Sequence, residues 1–147
     1  MAGYQLKITS GGETIELSTK EQQGMADITK LSFKVNTIDR QTRNRSDNVR
    51  TEIVLEGVVT KENREKTKGL TKWALDADRT TLYRSVTLVV YEAENCTGDV
   101  LRRYQIDNMF VIDYDEFFNA GSNADKGEFT MIIAQRDGSY KKDVFAS

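Results

Sequence analysis

Apolar residues at every second position are the feature that most constrains this chain. Tyr4, Leu6 and Ile8 alternate with polar residues before a pair of glycines, and the same spacing returns further on. The apolar positions of the second segment are Leu31, Phe33 and Val35. Alternation of this kind places apolar side chains on one face of a β-strand. We therefore predict two half-buried strands, joined by a loop or short connector over residues 18–30.

The segment TEIVLEGVVT, residues 51–60, predicts a third strand with less uniform faces. Ile53, Leu55 and Val59 are predicted to share one face. The residues predicted on the other face are Glu52, Val54, Glu56 and Val58. That face mixes charged and apolar groups, as expected of a surface that a neighbouring subunit partly covers.

A change of period marks the one predicted helix. In residues 61–78, the residues Leu70, Trp73, Ala74 and Ala77 are spaced i, i+3, i+4 and i+7. This spacing forms one stripe of an amphipathic helix, and the other positions are mostly charged. We predict that the stripe anchors the helix on a sheet, with Trp73 packing in the core rather than stacking on a ligand.

Three further strands are predicted after the helix, at residues 82–93, 100–118 and 128–135. The middle segment is much longer than the usual five or six residues, which predicts a long or bent strand. The positions predicted to share one of its faces, interrupted by Asn108, are Tyr104, Ile106, Phe110, Ile112 and Tyr114. The order of elements predicts a mainly β fold, an antiparallel β-barrel or sandwich with one flanking α-helix.

Composition limits the classes of function. A chain of 147 residues suits a single domain, here 1–147, that can bury one core. It has no histidine and one cysteine, Cys96, so the usual partners of hydrolase and zinc chemistry are missing. With 21 basic and 23 acidic residues, the net charge of -2 disfavours a broad nucleic-acid-binding face. We predict a protein that is not an enzyme and needs no cofactor or metal.

The N-terminal residues lack the basic start and apolar core of a signal peptide, and no apolar run approaches the roughly 18 residues of a membrane span. We therefore expect assembly in the cytoplasm, with no signal peptide and no insertion into a membrane. Proline is absent, which removes one device that discourages strand edges from pairing with one another.

Asp113 and Asp115, in the sequence DYDEF, are the best candidates for a chemical site because alternate residues of a strand share one side. Such a pair could bind a cation or divide acid and base roles. The sequence offers no histidine and no third set of cation ligands to complete a site with them. A solvated or subunit-facing strand surface is therefore the preferred interpretation.

A long polar arm, residues 38–50, separates two predicted strands. The residues that make it a candidate contact are Asp39, Arg40, Arg43, Asn44, Arg45, Asp47 and Arg50. Four arginines minus two aspartates give the arm a local charge of +2. Polar surface loops are ordinary between strands, but loops beyond about 12 residues without structure of their own are usually functional or disordered. Arginine also suits planar, bidentate contact with carboxylates, so we predict a contact with another subunit.

The later segments, taken in order, carry a family resemblance. They are TKGLTKWALDAD, LYRSVTLVVYEA, a polar turn, YQIDNMFVIDYDEF and GEFTMIIAQ. This order resembles the Hcp family, the haemolysin-coregulated tube proteins of type VI secretion, and more broadly the tail-tube proteins of contractile phages and injection systems. The resemblance covers residues 48–137 by order and spacing and residues 4–35 by pattern alone. The arm differs from the glycine-rich arm frequent in that family.

The resemblance implies six copies arranged head to tail in a ring, with edge strands continuing from subunit to subunit into a large inner β-barrel. Stacked rings would form a tube, and the arm would be a strap to a neighbouring ring or subunit. A sheath, a baseplate or spike and cargo in the lumen would be the partners, and sheath contraction would expel the tube. Residue chemistry alone leaves open a small β-sandwich binding or adaptor module, and an enzyme that uses Asp113 and Asp115.

Overall fold

A computed structural model of the chain describes residues 2–20, 26–37, 49–119, 127–135 and 144–146. The elements are β1 Gly3–Ser10, β2 Glu13–Ser18, β3 Ile28–Thr37, β4 Val49–Val59, α1 Arg64–Leu75, β5 Arg84–Ala93, β6 Thr97–Phe118, β7 Gly127–Gln135 and β8 Val144–Ala146. Within these ranges, no helix combines the length and the apolar character needed to cross a bilayer.

The strands form one antiparallel sheet in the order β2-β1-β5-β6-β7-β4-β3, with β8 also paired to β6. Strand β6 is 22 residues long and has different partners along its length. Residues 97–109 pair with β5, whereas residues 109–118 pair with β7. We call β2, β1, β5 and the first half of β6 the first layer, and the second half of β6 with β7, β4 and β3 the second layer. The predicted mainly antiparallel β fold with one flanking helix is confirmed.

The hydrophobic core lies between the two layers. Fully buried residues of the first layer are Leu6, Ile8, Leu17, Val86, Leu88 and Ile106, and those of the second are Ile53, Leu55, Phe129, Met131 and Ile133. Each fully buried aliphatic or aromatic side chain of this size stabilises the fold by roughly 1.5–3 kcal/mol relative to an exposed one. Phe33 of β3 stacks on Tyr104 of β6 with ring centroids 4.4 Å apart. This contact brings the last strand of the second layer onto the first.

Helix α1 is held by Leu70 and Trp73, which are both fully buried. The indole Nε1 of Trp73 donates a hydrogen bond of 2.8 Å to the carbonyl of Leu82. The guanidinium of Arg84 lies 5.3 Å from the centre of the same ring, within the range of a cation–π contact. The indole therefore joins the helix to the segment that leads into β5.

The helix ends at Leu75, before one of the residues predicted to anchor it. Asp76 is extended, with ψ 124°, and its Oδ1 accepts a hydrogen bond of 2.9 Å from the backbone N–H of Asp78. Aspartate favours such local turns because its side chain competes for backbone donors. Ala77 consequently lies outside the helix and is exposed, while Ala74 is half-buried. The predicted stripe is corrected to Leu70 and Trp73 with partial packing of Ala74.

The strand β2 was not predicted from the sequence. Gly11 has φ 56° and reverses the chain, so β1 and β2 form a hairpin in which Ile15 and Leu17 are buried. The alternation of these two residues was visible, but two apolar positions are a weak strand signal. Strand β3 likewise begins at Ile28, inside the predicted connector.

Two irregularities in β6 change which residues face the core. Asn108 has φ 59°, and the pairing with β5 shifts beside it. A second shift, in the pairing with β7, occurs at Ile112. An extra residue moves the following side chains to the opposite face, so Met109 is fully buried and Ile112 is 46% exposed. The prediction that Phe110 and Ile112 share one face with Tyr104 and Ile106 is wrong. The remaining predicted positions, Tyr104, Ile106 and Tyr114, lie in or against the core.

Replacing Trp73 by Phe should lower the free energy of unfolding by about 2 kcal/mol, because the Leu82 carbonyl loses its donor and the smaller ring leaves a cavity. Urea unfolding followed by circular dichroism would measure this loss. Leu101→Ala is a control at a position that is 48% exposed, where a change below about 0.5 kcal/mol is expected. Equal midpoints for Trp73→Phe and the parent would contradict the anchoring role.

Candidate functional site

The second layer has two strand edges that no other described strand covers. Strand β3 pairs with β4 on one side, and residues 110–118 of β6 pair with β7 on one side. On the other side of residues 110–118 no described strand is paired, because the pairing with β5 ends at Met109. Open edges present rows of backbone N–H and C=O groups that can pair with a further strand. We call these two edges the β3 edge and the β6 edge.

The two edges are suited to pairing with each other in separate copies. The four strands of the second layer alternate in direction, so β3 and β6 run in opposite directions. A β6 edge placed beside the β3 edge of another copy would continue the antiparallel pattern. Their lengths also match, since β3 has 10 residues and the β6 edge runs from residue 110 to residue 118.

The outer face of the second layer, which is turned away from the core, carries charge in rows across the strands. The residues in register are Asp115, Thr130, Glu56 and Lys30 in one row, and Asp113, Ile132, Val54 and Ser32 in the next. Each row therefore begins in a carboxylate on β6. Lysines lie on β3, where Lys30 and Lys34 share this face. Opposite charges thus lie beside the two open edges.

Within one copy these charges are only weakly paired. Lys30 Nζ lies 3.9 Å from Glu56 Oε2, with side chains 77% and 45% exposed. Exposed pairs of this kind contribute roughly 0–1 kcal/mol. Asp113 and Asp115 are exposed on the strand surface. Among the described residues, no group of three or more acidic, histidine or cysteine side chains is placed to hold a metal ion.

Asp27 packs over the end of strand β4. Gly57 faces Phe129 and Asp27, because a Cβ atom there would lie 2.6 Å from the Phe129 ring and 2.2 Å from the Asp27 carbonyl. The N–H of Val58 donates a hydrogen bond of 3.1 Å to the same carbonyl. Val58 is buried, and Val59 is half-buried and packs against the core, on the face that the sequence predicted for it. Val54 and Glu56 keep the mixed outer face that the sequence predicted.

Asp27 fixes the position at which the β3 edge begins. Its Oδ1 accepts a hydrogen bond of 3.0 Å from Asn63 Nδ2, and its Oδ2 lies 3.3 Å from Lys66 Nζ. Oδ2 also accepts a hydrogen bond from the N–H of Ser18 at 3.3 Å. Asn63 Nδ2 donates further to the carbonyl of Val58. These contacts join the ends of β2 and β4, the start of β3 and the start of α1.

A groove separates helix α1 from the β6 edge. We call it the helix groove, and the residues that line it are Thr71, Ala74, Leu75, Val111, Ile112, Asp113, Tyr114 and Glu116. In it, Glu116 Oε1 accepts hydrogen bonds from Tyr114 Oη at 2.7 Å and from Thr71 Oγ1 at 2.9 Å. Leu75 and Ile112 expose 80% and 46% of their surface. The groove therefore combines a fixed polar cluster with exposed apolar side chains.

Burial raises the pKa of the Tyr114 hydroxyl well above its ordinary value. The hydrogen bond to Glu116 and the negative charge of that carboxylate raise the pKa further, and the contact with Thr71 acts in the opposite direction. The neutral phenol is therefore the form that this environment stabilises.

The arm falls largely outside the described residues. The predicted contact residues that lie outside the described ranges are Asp39, Arg40, Arg43, Asn44, Arg45 and Asp47. Arg50 is placed, near the start of β4, and its Nη2 lies 3.1 Å from Glu52 Oε1. This arginine therefore makes an ion pair within its own subunit, which the sequence did not predict.

No protein-family model and no curated protein matches the chain. The secreted protein Hcp3 from Pseudomonas aeruginosa matches over 100% of this chain and 97% of its own, with a TM-score of 0.50 and 11% identity. Hcp1 from Flavobacterium johnsoniae matches over 90% of both chains with a TM-score of 0.48 and 14% identity. A chain of the sheath–tube complex of PVC, an extracellular contractile injection system, matches over 97% of this chain and 88% of its own, with a TM-score of 0.47 and 15% identity.

The fold defined by the two layers and the flanking helix is therefore of the tail-tube type. More particularly, it is Hcp-like, as the match to Hcp3 along the whole chain shows. The sequence resemblance is confirmed at the level of the fold.

The raised pKa of Tyr114 predicts a dependence of stability on pH. Because the folded pKa lies above the unfolded value, the contribution of Tyr114 to stability is complete below about pH 10 and is lost as the pH rises further. Tyr114→Phe should reduce the loss of stability between about pH 9 and pH 11, measured by urea unfolding at each pH. Tyr91→Phe, which removes a hydroxyl bonded to Gln5, is the matched control. The same pH dependence in Tyr114→Phe and the parent would contradict the prediction.

Proposed function

We propose that this chain is a structural inner-tube subunit of a contractile injection system or phage-like tail. Copies join in rings of six, the rings stack into a tube, and contraction of a surrounding sheath expels the tube. The observation that carries the proposal is the second layer, whose open β3 and β6 edges have matching length and opposite direction. This role needs assembly and no bond chemistry.

The two edges favour head-to-tail assembly over a symmetric dimer. When the β6 edge of one copy pairs with the β3 edge of the next, the first copy still has its own β3 edge available. Contacts between two different surfaces either close into a ring or continue as a filament. Closure leaves no open edge in the second layer, which is the usual way in which β-barrels avoid uncontrolled association.

Charge supports the same pairing. Asp113 and Asp115 lie beside the β6 edge, and Lys30 and Lys34 lie on the strand that forms the β3 edge. Joining a β6 edge to a β3 edge brings carboxylates toward ammonium groups. Joining two β6 edges would instead place carboxylates opposite one another. Like charges placed directly opposite each other in neighbouring strands are destabilising.

The partners and location belong to the same proposal. Of the similar structures, one belongs to the sheath–tube complex of PVC, and Hcp3 is described as a secreted protein. For this chain we propose assembly in the cytoplasm, association with a sheath and a baseplate or spike, cargo in the lumen, and release through the contractile machine.

Reversing the lysines tests the paired edges. Lys30→Glu with Lys34→Glu should lower the fraction of protein in rings at least tenfold at about 0.1 M salt. At every contact between two copies, glutamates on β3 would then repel the carboxylates beside the β6 edge. Adding Asp113→Lys and Asp115→Lys to the same chain should restore rings. Mass in solution and negative-stain microscopy would measure the fraction.

The matched control is Lys7→Glu with Lys72→Glu, which makes the same charge change at exposed positions on β1 and α1. This variant should form rings like the parent. A parent protein that stays monomeric at high concentration would contradict the tube and favour the small binding module.

Replacing Arg40, Arg43 and Arg45 by Ala tests the arm as a strap between rings. We expect single rings in place of tubes, with an unchanged thermal unfolding midpoint, because loop side chains contribute little to a core. Tube length from microscopy and circular dichroism melting would measure the two properties. Tubes of parental length, or a monomer that unfolds, would contradict the strap.

A further inference from the structure

The helix groove lies beside the β6 edge, so a strand that pairs with this edge would lie next to α1. Thr71, Ala74 and Leu75 form the helical wall of the groove, while Val111 and Ile112 belong to the strand. Leu75 is the last residue of the helix and is 80% exposed. An exposed leucine alone is ordinary, but here it lies beside exposed Ile112 and an open backbone edge.

Strand β3 carries a complementary apolar residue on the matching face. Leu31 and Phe33 lie in or against the core of their own copy. Val35 follows them on the same face but is 53% exposed. Because β3 would continue the second layer of the next copy, this face would be turned toward the helix of that copy. Val35 is therefore an apolar side chain left uncovered by its own copy.

We propose that the helix groove is the seat for β3 of the next copy, with Leu75 and Ile112 covering its Val35. This inference rests on the proposed ring, and it adds that α1 takes part in the joint between copies. The joint then has two unlike faces. On the face turned toward the core, Val35 makes apolar contacts beside the helix. On the outer face, carboxylates of one copy attract lysines of the next.

The helix also gives the joint a means of fixing its register. Backbone hydrogen bonds alone select register weakly, because every residue offers the same N–H and C=O groups. A shift of one residue turns every side chain of the strand to the other face. It would place Lys34 against Leu75 and turn Val35 to the outer face, so the apolar side chain would stay in water. Covering Val35 therefore favours one register over its neighbours.

A second copy is the occupant that fits these observations best. The edges have opposite directions and matching lengths, the charges beside them are opposite, and the exposed apolar residues lie on corresponding faces. A peptide from another protein could match the edge, the charge or the apolar face. Only a second copy of this chain brings all three together.

Leu75→Glu tests the seat without disturbing the subunit, because the side chain is already 80% exposed. We expect the ring fraction to fall at least tenfold at a protein concentration at which the parent is fully assembled. Unfolding by urea should be unchanged at a concentration low enough that both proteins are monomeric. Leu101→Glu is the matched control, since Leu101 is also an exposed leucine, 48%, but lies in the first half of β6. It should assemble like the parent.

Crosslinking locates the contact directly. In a Cys96→Ala chain, Leu75→Cys combined with Val35→Cys should be joined by a short bismaleimide into a ladder of covalent oligomers. Leu75→Cys combined with Lys34→Cys is the control, because adjacent residues of β3 face opposite sides of the sheet. It should give at least fivefold less crosslinked product.

The outcomes separate this inference from the proposed function. Rings in the parent, together with parental assembly of Leu75→Glu or equal crosslinking at positions 34 and 35, would overturn the seat and leave the tube standing. A parent that forms no rings would overturn both. Loss of rings in Leu75→Glu together with selective crosslinking at position 35 would establish the seat.

Discussion

The structure depends on one strand belonging to two layers. Strand β6 is 22 residues long and pairs with β5 along its first half and with β7 along its second. This division encloses the core between the layers, and it also ends the pairing with β5 at Met109, which leaves the second half open on one side. The β6 edge and the helix groove therefore arise from the same division that builds the core.

Much of the fold could be predicted because burial on one face of a strand leaves a period-two pattern in the sequence. Phe129, Met131 and Ile133 alternate as expected and are buried. The errors occur where a single residue interrupts the pattern. Asn108 takes a left-handed conformation and Ile112 is inserted into the pairing, and the faces exchange after each. Asparagine is one of the few residues that adopt this conformation readily, so that position carried a signal, whereas nothing about Ile112 marks it as an extra residue.

The candidate site was predictable only in part, because sequence pattern reports faces and not neighbours. The mixed outer face of β4 and the carboxylates at positions 113 and 115 were visible. The open edges were not visible, because whether a strand lies at an edge depends on its pairing with segments that are far away in the sequence. The cluster around Asp27 was missed for the same reason, because Asn63 and Lys66 lie 36 and 39 residues away from it. Ala77 was a local error, and the aspartates on either side of it gave a turn signal that the helical spacing obscured.

The even number of strands in the second layer has a consequence for the size of the proposed assembly. With an odd number of strands, the two edge strands would run in the same direction, and the edge strands of neighbouring copies would have to pair in parallel. With four strands, every added copy repeats the same antiparallel joint, so hydrogen bonding is satisfied equally in a ring of five, six or seven. Ring size is therefore a question of curvature. It is decided by the angle between neighbouring copies, and that angle depends on how much side-chain volume is packed on each face of the joint.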